Sequence, residues 1–378
     1  MRMLALLLLA GAVFLTGATE RARSSSEPGA SGSRWVVTDL GNLGRARVTV
    51  SDINDRGQVV GGGLSRSAER GFVWQDGAMQ ELGRGPFGGA RAINERGQII
   101  GTSSSAAIAD QHAVLWQNGR MIDLRPRGGV TAINERGQVL GFRYVTIYDP
   151  TNCTAPCTGS TSVIWQNGKM RDLGLGASAI NNRGQVVGAI DDGTAGRAVM
   201  WENGTIRVLG PGQAVDINER GQILVRSDEH VVVWKQNGTS IDLGPGIPVA
   251  INERGQVTGF TLAPTGIGHA FLWRNGTTTD LGTLGGGWSI PTAISSRGQV
   301  VGYSLDKGGE QHAFLWQNGT MIKLGSPKGK TGLHASRTRA IAINEHNQII
   351  GDNCFQDCGL RRGSARSKYA VIWTLRQS

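Results

Sequence analysis

AINERGQII, residues 92–100, is one of eight copies of the phrase that decides the fold. The others are DINDRGQVVG at 52–61, AINERGQVL at 132–140, AINNRGQVV at 179–187 and DINERGQIL at 216–224. The series ends with AINERGQVT at 250–258, AISSRGQVV at 293–301 and AINEHNQII at 342–350. A period of about 41 residues lies in the range of propeller-type repeats. Within each copy two short β-prone runs flank Asn-Glu-Arg-Gly. Asn at the first position and Gly at the fourth are the preferences of a type I turn whose last residue takes positive φ. The eighth copy replaces that Gly with Asn347, the other residue that tolerates the left-handed region.

A second phrase alternates with the first. It reads FVWQDG (72–77), AVLWQNG (113–119), SVIWQNG (162–168), AVMWENG (198–204), VVVWKQNG (231–238), AFLWRNG (270–276) and AFLWQNG (313–319). Asn-Gly or Asp-Gly between apolar runs is a strong hairpin signal. A short stretch that often ends in Asp-Leu-Gly follows each hairpin. Every unit therefore holds four short strands: AIN, GQVVG, the Trp strand and the DLG strand. The chain's first strand, WVVTDLG at 35–41, is a DLG strand with no hairpin ahead of it, and its last, AVIW at 370–373, is a Trp strand with no DLG strand behind it. If the two pair, a ring closes and no edge strand stays bare. The expected fold is all-β: one eight-bladed β-propeller over 35–375, with seven blades as the alternative.

Composition agrees with this plan. The 378 residues include 58 Gly but only 11 Pro, so the glycine is neither collagen-like nor simple linker. A hydrophobic share of 39% fills a core and not a membrane bundle. Residues 1–18, MRMLALLLLAGAVFLTGA, have the basic start, apolar run and small-residue exit of a signal peptide cleaved near Ala18. Residues 19–34 read as a disordered linker. The expectation is a secreted chain, extracellular or periplasmic, with no membrane span.

The units resemble the HAF repeat of extracellular repeat proteins, whose hallmark is His-Ala-Phe before Trp. It stands here as His269-Ala270-Phe271-Leu272-Trp273 and His312-Ala313-Phe314-Leu315-Trp316, with DLGTLGG at 280–286 and DLGNLG at 39–44. The resemblance covers nearly all of the chain after the leader. It departs at Val225, which replaces the Gly after GQIL, and at Ser295, which replaces Asn. It implies an extracellular setting and brings no established chemistry.

Candidate site residues sort by their position in the repeat. His112, His230, His269 and His312 share one position ahead of the Trp strands, which fits a polar strand start better than metal ligation. Arg56, Arg96, Arg136, Arg183, Arg220, Arg254 and Arg297 occupy the turns, mostly beside an acid, and read as a nearly neutral solvated rim. The Asn-Gly-Thr triplets at 203, 237, 275 and 318 match a glycosylation sequon but coincide with required hairpin turns. The unit tryptophans read as packing, whereas Trp288, in GGGWSI, lies outside the repeat position and is a candidate aromatic contact. Cys153/Cys157 and Cys354/Cys358 fit two local disulfides, with one shared zinc site as the alternative. No catalytic residue, metal or cofactor is expected.

The turns hardly vary in length, whereas the GQVVG-to-Trp and DLG-to-AIN connections, expected on the opposite face, vary a great deal. Unit 8 has the longest DLG-to-AIN loop, and residues 326–368 carry eight basic side chains against three acidic ones, half of the chain's net +10. The candidate basic patch is Lys328, Lys330, Arg337, Arg339, Arg361, Arg362, Arg366 and Lys368. Such a patch attracts anionic polymers, and ordinary solvated charge is the alternative. The expected function is a non-catalytic binding or scaffold protein. Its partner would be an anionic envelope polysaccharide or another envelope component, or a protein; nucleic acid is disfavoured by the leader. The rival is a propeller-fold glycan hydrolase or lyase, although no motif for paired carboxylates or an activated nucleophile is present.

Overall fold

A computed structural model describes residues 24–26, 34–44, 48–64, 69–83, 88–104, 111–147, 157–191, 193, 196–263, 266–327, 337–355 and 367–376. Every regular element among them is a β-strand. Units 1, 4, 5, 6 and 7 each supply four antiparallel strands in simple up-and-down order. Unit 1 runs Val48–Ile53, Val59–Leu64, Glu69–Gln75, Ala78–Glu81. Units 2 and 3 share the long strand Arg120–Ile133 and so merge into one seven-stranded sheet.

Unit 8 is assembled from both ends of the chain. Arg337–Ile343, Ile349–Phe355 and Ser367–Arg376 are followed in the sheet by Arg34–Asp39, with Val37 opposite Trp373. Ser24–Ser26, inside the stretch read as linker, pairs with Val36–Thr38 and adds a fifth strand. The outer strand of unit 8 would otherwise present unpaired backbone groups there.

The turns have the local chemistry that their residues dictate. In unit 2 the Gly97 amide donates to the Asn94 carbonyl at 3.0 Å, and the Asn94 amide donates to the Gln98 carbonyl at 3.1 Å. The fourth turn residue has positive φ, 75° at Gly97 and 59° at Asn347. Most Trp hairpins place both central residues at positive φ, as at Asn118 and Gly119, which is the type I′ geometry that matches strand twist. Unit 5 differs because Lys235-Gln236-Asn237-Gly238 is one residue longer, and there only Gly238 takes positive φ.

Each AIN strand also carries a register shift just before its Ile, for example between Ala90 and Ala92. Opposite it sits the last Gly of GQVVG in every unit but the fifth, where Val225 takes the place. A Cβ at Gly101 would press into the Gly89 carbonyl oxygen and lie 2.8 Å from the Trp116 ring. That glycine permits close approach of strand and indole, and it has no left-handed φ to satisfy.

The apolar residues gather in eight clusters, each between two neighbouring units, and each contains one unit tryptophan. Trp116 packs with Ala90, Ile93, Ile99 and Val114 of its own unit and Val60 of unit 1. Trp373 packs with Val301, Ala313, Leu315 and Leu324 of unit 7, and Trp74 packs with Ile350, Ala370 and Ile372 of unit 8. The tryptophans are therefore inter-unit packing, as their period implies. Six of the eight are buried, Trp234 and Trp273 only partly, and some indole N–H groups reach the previous unit: Trp165 Nε1 donates to the Leu124 carbonyl at 2.7 Å and Trp373 Nε1 to Gly325 at 2.6 Å.

Candidate functional site

The turn face is a hydrogen-bonded relay. In unit 1 the Asn54 Oδ1 accepts from the Arg56 and Gln58 amides, and its Nδ2 donates to Gln58 Oε1 and to the Asn94 carbonyl of unit 2. Asn94 repeats this toward Asn134, Asn134 toward Asn181, Asn181 toward Asn218, Asn218 toward Asn252, and Asn252 toward Ser295. Asn344 donates to Asn54. These asparagines are at most 6% exposed, so each bond is made where an unmade one is expensive.

The acidic turn residues serve the same relay. Glu95 accepts from the Asp55 amide, Glu135 from the Glu95 amide, Glu345 from the Ser296 amide and Asp55 from the Glu345 amide. In sequence these carboxylates look like partners for the adjacent arginines. They are instead acceptors for backbone one unit away, and the arginine side chains are left exposed.

The repeat-position histidines are cross-strand partners. His112, His230 and His269 each place Nδ1 within 3.2 Å of the aspartate of their own DLG strand, Asp123, Asp242 and Asp280. Each of these aspartates also accepts an amide two residues on, as Asp242 does from Gly244 at 2.8 Å. The Gly244 amide first, and His230 after it, hold Asp242 below the usual carboxylate range despite some burial. His312 departs from this pattern and meets Asp306 through Nε2 at 2.9 Å. No group of three or more His, Cys, Asp or Glu among the described residues could hold a metal ion.

At the edge formed by units 7 and 8, Trp288 stacks edge-on against Tyr303, with ring centroids 5.8 Å apart and planes at 87°. Burial pushes the Tyr303 phenol above its ordinary value, against the opposing influence of the Arg339 charge. Arg339 is gripped by Asp352 through two bonds, Nε to Oδ1 at 2.7 Å and Nη2 to Oδ2 at 3.0 Å. Its guanidinium therefore already has an anion on the neighbouring strand. Arg337 is exposed on the same strand, and Lys368 lies at the start of the strand Ser367–Arg376. Lys328, Lys330, Arg361, Arg362 and Arg366 lie outside the described residues. Asn353, 1% exposed, has no hydrogen-bond partner for either side-chain amide atom among the described residues.

Each expected disulfide has one member in a strand and one outside the described residues. The backbone of Cys157 opens the strand Cys157–Gln166, opposite Ile147 of Val139–Ile147, whereas Cys153 lies outside. Cys354 sits in Ile349–Phe355, opposite Lys368, whereas Cys358 lies outside. The Cys153–Cys157 and Cys354–Cys358 bridges are thus not among the described features. The two strand cysteines belong to units 3 and 8, in different sheets.

Two carboxylates passed over in the sequence reading stand apart. Asp52 and Asp216 replace the Ala of AIN in units 1 and 5. Burial raises each to about 6, although each accepts two amides. Asp52 takes Ile53 at 2.8 Å and Ile93 of the next unit at 3.0 Å; Asp216 takes Ile217 and Ile251 likewise. The signal was the written D of DIN. Sitting in units 1 and 5, they are not a catalytic pair of neighbours.

No protein-family model and no curated protein matches the chain. Among solved structures it is similar to an acylaminoacyl peptidase of Pyrococcus horikoshii, with 10% identity and a TM-score of 0.49 over 82% of this chain and 57% of that one. The β-propeller domain of the trilobed protease from Pyrococcus furiosus gives 10% identity and 0.45 over 81% and 98%. A puromycin-hydrolysing peptidase of Mycobacterium tuberculosis gives 13% and 0.41 over 91% and 60%. The chain thus spans little more than half of the first peptidase. At these identities no activity, substrate or residue role transfers from them. No helix of the described residues is long and apolar enough to cross a membrane.

Proposed function

We propose that the chain is a secreted protein of the HAF-repeat type, folded as a closed eight-bladed propeller, which binds an anionic envelope polysaccharide and does not catalyse. The observation that carries this reading is the division of labour between the two faces. On the turn face the recurring Asn, Gln and acidic side chains of the repeats are already engaged in joining units. In the sequence, length variation and excess positive charge belong instead to the GQVVG-to-Trp and DLG-to-AIN connections, above all those of unit 8. Rigid scaffolds present function on such variable loops.

Closure is supported by the pairing of Arg34–Asp39 with Ser367–Arg376 and by the bonds from Asn344 and Glu345 back to unit 1. Secretion is supported by the leader-like residues 1–18. Because Arg339 is held by Asp352, the ligand-facing charges are assigned to Lys328, Lys330, Arg337, Arg361, Arg362, Arg366 and Lys368.

The test is retention on immobilised acidic polysaccharide as a function of salt. The wild-type chain is retained and released by raised ionic strength. A variant with Lys328, Lys330, Arg361 and Arg362 all changed to Ala elutes early. Unchanged retention of that variant sinks the basic-edge reading, and turnover of the polysaccharide sinks the non-catalytic one.

A further inference from the structure

A recess of about 470 Å³ opens on the turn face where units 6, 7 and 8 meet. Its wall includes Arg274, Arg297, Trp316, Gln317, Asn318 and Asn347, and none of its nine lining residues is acidic. The volume is in the range of small-molecule sites, roughly 300–1,000 Å³.

The recess coincides with three departures from the repeat. Ser296 stands where six other units carry Asp or Glu in the turn, so Arg297 lacks the usual adjacent carboxylate. Ser296 instead donates, through its amide and its hydroxyl, to Glu345 of unit 8, and so engages that carboxylate. Arg274 follows its Trp where units 1, 2, 3 and 7 have Gln. In those units that Gln accepts from the turn Gln, as Gln317 does from Gln299 at 2.9 Å. A guanidinium has no acceptor to offer, so Arg274 cannot make that clasp. Asn347 replaces the turn Gly, and its Oδ1 is buried without a partner among the described residues. Both arginines are exposed, and neither makes an ion pair among the described residues.

Two arginines lining one recess without a carboxylate call for an anion. Side-chain amides and an unused acceptor beside them call for hydroxyl donors on the same ligand. An inorganic anion meets the first demand and not the second. We propose that this recess binds one acidic sugar residue, a hexuronate, with its carboxylate between Arg274 and Arg297 and its hydroxyls toward Asn347, Gln317 and Asn318. Forked guanidinium–carboxylate bonding supplies the affinity and orientation. The site is lined by turn-face residues alone and includes none of Lys328, Lys330, Arg361 and Arg362.

The test is a calorimetric titration of the full chain with galacturonate, galactose and sulfate as separate probes. Galacturonate binds, and galactose and sulfate bind at least about tenfold more weakly. Arg274→Gln and Arg297→Gln each weaken galacturonate about tenfold, the loss expected for one charged hydrogen-bond pair. Both are exposed sites, and Gln is the repeat's own residue at 274; an unchanged melting temperature shows that the fold persists. The variant with Lys328, Lys330, Arg361 and Arg362 changed to Ala binds galacturonate like wild type, which separates this site from the basic edge. Equal affinity for galactose or for sulfate, no galacturonate binding, or unchanged affinity in both arginine variants overturns the proposal.

Discussion

Asn344 donates its side-chain amide to the backbone carbonyl of Asn54 at 3.0 Å, across 290 residues of sequence. It is the same bond that Asn54 makes to Asn94 and Asn94 to Asn134. Unit 8 is thus bonded to unit 1 by the same side-chain amide that links units 1 to 7 in succession.

That bond is one of four made by a side chain only 4% exposed. Asn344→Ala orphans the amides of His346 and Gln348 and the Asn54 carbonyl, at a cost of about 3 kcal/mol. Unit 7 supplies the converse: Ser295 lacks the amide, and Ser295→Asn restores a donor toward Asn344, worth about 1 kcal/mol. Chemical denaturation of both variants measures the two values. A neutral Asn344→Ala contradicts the relay's importance.

Gly101→Ala is expected to destabilise by about 2–4 kcal/mol, because the new methyl meets the Gly89 carbonyl and the Trp116 ring. Gly119→Ala, where the added Cβ meets nothing but φ is 71°, costs only the left-handed penalty of about 1 kcal/mol. Thermal melts of the pair separate crowding from backbone strain.

Asp52 and Asp216 set a pH dependence. Their folded-state value of about 6 lies above the ordinary 3.8. The stability they contribute is therefore fully present below the ordinary value and lost as pH rises through about 6. Melting temperature rises as pH is lowered from 7 toward 5, by an amount reflecting about 1 kcal/mol per group. The double variant Asp52→Ala, Asp216→Ala installs the residue found in the other six units, and its profile is flat across that window. An unchanged slope in the double variant refutes the assignment.

Arg339→Ala leaves Asp352, 6% exposed, without its guanidinium, and costs about 3 kcal/mol. Arg337→Ala, on an exposed side chain of the same strand, changes stability by less than about 0.5 kcal/mol. Denaturation midpoints distinguish the structural arginine from the solvent-facing one.

Much of the fold was legible because its determinants are local. Asn-x-Arg-Gly and Asn-Gly announce their turns within four residues, and the period places a Trp in every unit. The roles of Glu95 and its counterparts were hidden, because the amide each accepts lies in the preceding unit and no spacing within one repeat reveals it. The His269–Asp280 pair spans a hairpin; its two residues recur together, and their register was readable. Arg339 looked like a free charge because Asp352, its partner, sits on the neighbouring strand. The Arg274–Arg297 recess depends on three units meeting, and its written signs are three scattered departures from the repeat, Arg274, Ser296 and Asn347.

Hydrogen–deuterium exchange of the backbone amides of Arg34–Asp39 is the most direct test of ring closure. If this strand completes unit 8 against Ser367–Arg376, its amides exchange as slowly as those of Ile349–Phe355, through global unfolding. Exchange at the rate of a free N-terminal tail, with unit 8 otherwise protected, would contradict the closed ring.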